Sequence, residues 1–496
     1  MYRQVGSPKL NEEGIMQKGL MVRHLILPNQ IENSKNVLKW IKENLDEKVF
    51  VSIMAQYFPT YLAKDVENLN RKLTKEEYEE IENYVYELDL KNGYMQDLGK
   101  HEEEFVPKWE VWKMKIKVIA STKVGYEMPK EEALNFSGKS AGICYLPDTL
   151  ETLFNEPEEK TMKRANMTLK SGHHSVFNHP TYNLSLEGIP KILAMILNNE
   201  KMYNTSEKSA RYTKMEPSEE EKVLYEKWIE IYKTEIAKAY PKIEEKRVQK
   251  LAQENARYLI SVFTPATVME YSVNFGQLNY IAHFFENFIN DETKNTKFDI
   301  KLKEVFKEFL EALPDLQVEG LNADIKKRGL SFFATRQNRK EEFGENYSTT
   351  YLASFAELAQ AQRHRTLIYE MTLLDEPKYY IPPIIRGTEL EEEWLKDIDS
   401  LKDYYPQGML LQINERGTVE NFVLKCTERL CGAAQLEIME QTLDTMKKYL
   451  EATKETNKEV YEYLLPYSKG ARCTFPSWKC DSPCVFGPMG AIKRKI

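Results

Sequence analysis

The sequence predicts an α+β chain: a short β/α segment, then two halves of similar size, then a tail. Three observations predict it. Strand-like runs and amphipathic helices alternate before residue 113. A charged, helix-forming stretch from Asp291 to Leu313 divides most of the remaining chain. A length of 496 residues leads one to expect two to four domains. The expected boundaries are 1–113, 114–300, 301–455 and 456–496.

In the first segment, Leu20 to Leu27 is a short apolar run ending at Pro28. Asn33 to Asn44 has helical periodicity, with Val37, Leu38 and Ile41 on one face, and Val49 to Met54 is strand-like. Thr74-Lys75-Glu76-Glu77 has the capping-box pattern and opens a helix running to about Leu88. This β-α-β-α order implies parallel strands, in too few units to close a barrel. Lys115 to Ala120, just after Met114, reads as a strand opening the next domain.

The net charge of −8 argues against a general nucleic-acid-binding protein, though not against a local cationic pocket. No apolar run reaches the roughly 18–20 residues that span a membrane. Met1-Tyr2-Arg3-Gln4 does not begin a signal peptide, so a cytoplasmic location is expected. Cys426 and Cys431 lie in a helical stretch and read as free thiols. Cys473, Cys480 and Cys484 crowd the tail and match no zinc spacing, so no metal is the first expectation, with a metal or cluster site as the alternative.

Two motifs carry the chemistry. Glu207-Lys208-Ser209-Ala210-Arg211-Tyr212 lies in the first half, and Arg363-His364-Arg365 in the second. At the equivalent position of the other half stand Asn199-Glu200-Lys201, in place of the triplet, and Leu373, in place of the serine. The first half also has His173-His174-Ser175-Val176-Phe177-Asn178-His179, Glu187-Gly188-Ile189, and Ala256-Arg257 followed by Thr267 to Asn274. The second has Gln360 three residues before Arg363, Asn414-Glu415-Arg416, and Arg429 five residues before Ala434-Gln435-Leu436-Glu437-Ile438. Thr350 to Gln362 reads as a helix carrying the triplet at its C-terminal end, where a cationic Arg363-His364-Arg365 is favourable at low pH.

In this order the motifs resemble the flavin-dependent thymidylate synthases, as a tandem form in which each half has lost what the other keeps. The resemblance implies methylation of dUMP to dTMP with methylenetetrahydrofolate and NADPH as co-substrates and FAD as cofactor. It implies one composite site from both halves and a homodimer standing in for the family's tetramer. By the same resemblance, Arg429 polarises the uracil, with Ser209 and His173 also catalytic. Glu207, Ser209, Arg211, Gln360, Arg363 and Lys378 hold dUMP, and Ser175, Arg363, His364, Arg365, Asn414 and Arg416 contact FAD. Arg suits oxyanions because its planar fork binds them bidentately. Asn178 replaces a family glutamate, and Phe285 stands where the first half would carry the catalytic arginine. The alternative reading is a flavin- or nucleotide-binding pseudoenzyme; a third is a nucleic-acid module using the basic triplet. Residues 1–113 resemble the C-terminal part of radical SAM proteins related to pyruvate formate-lyase activating enzyme, on Met1 to Gly6, Val22 to Pro28 and Ser52 to Tyr57. No cysteine precedes Cys144, so nothing in this segment can bind that family's iron–sulfur cluster.

Overall fold

The computed structural model describes residues 1–98, 123–145, 150–200, 203–207, 217–323, 332–333, 339–476, 478–481 and 483–496. The expected strand at 115–120, the residue Lys201, and the site residues Ser209 and Arg211 lie outside them. The chain divides into two compact units, Met1–Lys123 and Val124–Ile496.

The first unit contains β1 (Met21–Leu25), α1 (Ile31–Asn44), β2 (Phe50–Met54), α2 (Lys75–Glu87) and β3 (Gly93–Met95). The strands form a parallel sheet in the order β1-β2-β3. Leu38 and Ile41 of α1 and Ile81 of α2 bury against Val51 and Ile53 of β2, which gives this unit a small core of its own. The Thr74 capping box is formed: Thr74 Oγ1 accepts the Glu77 N–H at 3.3 Å, and Glu77 accepts the Thr74 N–H at 3.0 Å. Arg71 also grips Glu77, and its guanidinium holds that carboxyl down at about 2.

The second unit contains two antiparallel sheets. The first comprises β4 (Thr181–Pro190), β5 (Tyr203–Glu207) and β6 (Pro265–Asn274), in the order β4-β6-β5. Helix α3 (Lys191–Asn199) follows β4 directly, and α4 (Phe275–Asn290) follows β6 directly. The second sheet comprises β7 (Asn346–Ser354), β8 (Ile368–Leu373) and β9 (Leu410–Thr418), in the order β8-β9-β7, with a short Glu342–Phe343 strand outside β7. Helix α5 (Phe355–Ala361) follows β7, and α6 (Val419–Arg429) follows β9. Both sheets therefore run strand–helix–strand, then a third strand that inserts between the first two and leads into a second helix. In three of the four places the strand's last residue caps the helix: Asn274, Ser354 and Thr418 accept N–H groups of Gln277, Glu357 and Asn421.

One hydrophobic core joins residues of both sheets, including Tyr271, Phe275, Phe285, Tyr369, Ile413 and Tyr449. A helix from Lys297 to Ala312 buries Phe298, Leu302, Val305, Phe306 and Phe309, and Phe306 stacks on Phe285 at 3.8 Å. The charged stretch between the halves thus contributes core as well as connection. Phe475 and Ile496 of the tail belong to the same core.

One expected helix is corrected. Residues 346–354 are strand, and only Phe355–Ala361 are helical. Thr349, Thr350 and Tyr351 pair with Glu415, Asn414 and Ile413 of β9, and β-branched and aromatic side chains suit that half-buried surface. Helix α5 begins only where Ser354 can cap it.

Candidate functional site

Glu207 ends β5, and Arg363 lies just beyond the end of α5. Arg363 Nη2 donates to Glu207 Oε2 at 2.7 Å, while Lys191 Nζ donates to Glu207 Oε1 at 2.6 Å and Asn198 Nδ2 to Oε2 at 3.1 Å. The Glu207 carboxylate is only 2% exposed. Burial pushes its pKa up, but Lys191 and Arg363 outweigh burial and hold it below the ordinary carboxylate value. Arg257, at the end of the helix Glu245–Ala256, is buried, and its Nε has no hydrogen-bond partner among the described residues. Its charge is felt at Lys191, whose pKa is lowered by burial first.

The rest of the triplet extends this cluster. Arg365 stacks over Tyr203 at 4.9 Å and donates to Asn204 Oδ1 at 2.8 Å, so it braces against β5 of the first sheet. His364 is buried and accepts from Arg429 Nε at 2.7 Å on Nε2. Arg429 also donates to the Gln360 carbonyl at 3.1 Å. Burial, then the charges of Arg429 and Lys425, push the His364 pKa down to about 2. The expected cationic histidine is therefore corrected: His364 stays neutral, with its proton on Nδ1 where Nε2 accepts from arginine.

Asn414 and Arg416 sit two apart on β9 and so share a face of the sheet. Asn414 Nδ2 bonds to β7 through the Thr349 carbonyl at 3.1 Å, leaving buried Oδ1 without a partner among the described residues. Arg416 Nη2 donates to Glu370 Oε1 at 2.5 Å, and its Nε is buried and unpartnered among those residues. Arg339 donates to both oxygens of Glu370 at 2.9–3.0 Å.

The remaining expected residues sit apart from these bonds. Lys378 is exposed, and its carbonyl receives the Leu410 N–H at 2.7 Å. His173 and Ser175 are exposed at a 3₁₀ turn, His174–Asn178. In that motif His174 is the anchored ring: Nδ1 accepts the Asn322 N–H and Nε2 bonds the Leu169 carbonyl, both at 3.1 Å. A Cβ on Gly276 would stand 2.2 Å from Asn178 Oδ1, so glycine there lets the turn seat on α4.

Sequence reasoning gave no role to Lys191, Arg257 or Glu370. Arg257 was visible within its Ala-Arg pair. Lys191 and Glu370 had no motif signal, because each acts through a partner distant in sequence. Gln435, also unassigned, accepts from Gln360 Nε2 and donates to the Tyr258 hydroxyl.

Together these features define an α+β protein with two like sheets and a cationic cluster formed between them. Residues 128–295 match the family described as thymidylate synthase complementing protein. Over 141 residues the chain is 30% identical to a flavin-dependent thymidylate synthase of Clostridium tetani, covering 24% of this chain and 57% of that protein. Over 88 residues it is 39% identical to an uncharacterized protein of Methanocaldococcus jannaschii, covering 16% of this chain and 25% of that one. The chain thus spans a quarter of one relative and somewhat over half of the other. The family match and the Clostridium tetani relative support the flavin-dependent thymidylate synthase family for this chain. Among the described residues, no helix is long and apolar enough to cross a membrane, and no group of three His, Cys, Asp or Glu side chains is arranged to hold a metal.

Proposed function

We propose that this chain is a flavin-dependent thymidylate synthase that methylates dUMP, using methylenetetrahydrofolate and NADPH, at a site built from both halves. The observation that carries this reading is the Glu207–Arg363 ion pair, 156 residues apart in sequence. It joins Glu207, where β5 ends and the Glu-x-Ser-x-Arg-Tyr motif begins, to the Arg-His-Arg triplet, the two motifs split between the halves. Lys191 and Arg363 bond one buried carboxylate, and the charge of buried Arg257 reaches Lys191. A buried guanidinium N–H such as Arg257 Nε without a partner among the described residues is costly, and a nucleotide phosphate would supply a charge-assisted bond to it. Ser209 and Arg211 follow Glu207 directly in sequence and are proposed to complete that cradle. Arg429 is proposed to polarise the uracil, held in place by His364 and the Gln360 carbonyl. The like order of strands and helices in the two sheets supports a tandem duplication.

FAD fits the residues at β9. Asn414 Oδ1 can accept an N–H and Arg416 Nε can donate to a carbonyl or phosphate oxygen, and both atoms are buried without partners among the described residues. Bound there, the flavin would supply the redox step, while the protein orients it. Arg365, exposed beside β5, is proposed as a further contact. Ser175 and His173 are proposed as further site residues, and a homodimer is the proposed active unit because each chain resembles two fused subunits of a tetrameric family.

An absorbance spectrum of the purified protein tests the reading first. A flavin band, with NADPH- and folate-dependent conversion of dUMP, is expected. A yellow protein that binds dUMP but never turns it over would leave the pseudoenzyme. A colourless protein that neither takes up FAD nor binds dUMP would end both. Light scattering is expected to find a dimer; a fully active monomer refutes the proposed assembly.

A further inference from the structure

A cavity of about 410 Å³ lies beside the helix Glu245–Ala256, which we label α7, and none of Lys191, Glu207, Arg257, Arg363 or Arg429 lines it. Lys246, Arg247 and Lys250 of α7 form one wall, and their spacing puts them on adjoining positions of one helix face. Across from them, Arg494 is buried, and its guanidinium donates to the carbonyls of Ala434 at 2.5 Å, Ala491 at 2.8 Å and Ile496 at 2.7 Å. Arg247 and Arg494 both lie over the Phe486 ring, at 6.0 and 5.8 Å. Glu244 and Glu254 are the lining carboxylates, fewer than the lining cations. Tyr258 and Gln435 also line the cavity; they bond to each other, and Gln435 accepts from Gln360.

We propose that this cavity is a second ligand site, for a small polyanion bearing phosphate or carboxylate groups, and that its occupancy is felt at Gln360. A concave wall of cations concentrates positive potential. The volume falls in the range of small-molecule sites. Arg494 already donates to four acceptors, so it contributes charge and pins the Ala434 loop, while the α7 wall adds three further cations. The path to Gln360 is short: one side chain, Gln435, both lines the cavity and bonds Gln360. Two sources share this chemistry, a nucleoside triphosphate and a chain of linked glutamates.

Calorimetric titration of the full chain with inorganic triphosphate, ATP and tetraglutamate separates them. At least one should bind with Kd below about 1 mM at low salt, and binding should weaken as salt is raised. ATP and triphosphate binding without tetraglutamate assigns a nucleotide; the reverse assigns an oligoglutamate. The pair Lys246→Glu and Lys250→Glu, both on the exposed side of α7, should weaken binding at least tenfold, whereas Arg363→Ala should leave it unchanged. No binding by any probe at about ten times that concentration, or binding indifferent to the α7 charges, overturns the site. The coupling rests on the proposed role of Gln360: dUMP affinity should change on adding the polyanion in the parent chain but not in Gln435→Leu. A chain that never binds dUMP would strike the proposed function and leave the polyanion titration to stand by itself. Equal dUMP affinity with and without bound polyanion overturns the coupling.

Discussion

The two sheets follow the same order of strands and helices, yet the residues at the ends of their first helices meet opposite fates. In the first sheet, Asn199 is buried and donates to the Tyr369 carbonyl at 2.9 Å, and buried Glu200 accepts from Gln277 at 3.3 Å. In the second, Arg363 remains partly exposed and reaches Glu207, and Arg365 is exposed against β5. Neutral or paired groups can be absorbed into a packed interior, whereas a guanidinium is expensive to desolvate and stays at the edge of a cleft. The same contrast recurs one element later. Phe285 of α4 is fully buried against Phe306, while Arg429 of α6 is half-buried and holds His364. One half has spent these positions on packing, and the other has kept them for charge.

The largest expected effects test that last pair. Arg429→Ala should lower turnover of dUMP by about 10²–10³-fold, the usual loss of one transition-state donor, with little change in melting temperature. Phe285→Ala should do the reverse, costing about 3–5 kcal/mol of stability. Steady-state kinetics beside urea unfolding would decide it, and similar kinetic losses in both variants would erase the contrast.

Next come the triplets. Arg363→Ala should weaken dUMP binding by about 1.5–3 kcal/mol, as should Arg211→Ala, if each loses a charge-assisted bond. Lys201→Ala, in the first half's triplet, should do far less. Calorimetry showing equal damage from all three would sink the composite site.

A smaller effect should appear in stability against pH. Glu357 of α5 is fully buried, both of its carboxylate oxygens lack partners among the described residues, and burial pushes its pKa up to about 8. Lys425 and Arg429 oppose that rise, and Glu437 and Glu415 add to it. Between its ordinary value and about 8 the folded chain keeps a proton that the unfolded chain releases, so this group's contribution to stability is lost as pH rises through that window. Glu357→Gln should remove that dependence and gain on the parent as pH rises from 5 to about 8. His364 runs the other way: its lowered pKa means that stability is lost as pH falls below the ordinary histidine range. Urea midpoints measured across this range would show an unchanged gap between parent and Glu357→Gln if the carboxyl were already ionised.

The smallest effect is expected from the first segment. A shortened chain beginning at Met114 should stay soluble and keep flavin and dUMP binding, because residues 1–98 carry their own small core. Loss of flavin on shortening, with the full chain retaining it, would show that the segment takes part in function.

Much of the fold was legible where local signals were strong. The capping box at Thr74 and the apolar periodicity of 33–44 located α1 and α2, and the β-α-β order gave the parallel sheet, because each is encoded within a few neighbouring residues. The Thr350–Gln362 helix failed because residues 350–354 pair with β9 residues 410–414, far along the chain, and that pairing outweighs local propensity. In the candidate site, the sequence by itself determined which polar and charged residues exist and in what order: Glu207, Gln360, Arg363 to Arg365, Asn414, Arg416 and Arg429. Only the tertiary structure decided that Glu207 meets Arg363 across the two sheets, that Lys191 joins them with Arg257 close enough for its charge to be felt, and that burial keeps the His364 pKa low. Ion pairing and desolvation depend on distance and burial, which are set by how sheets pack, and no spacing along the chain records them.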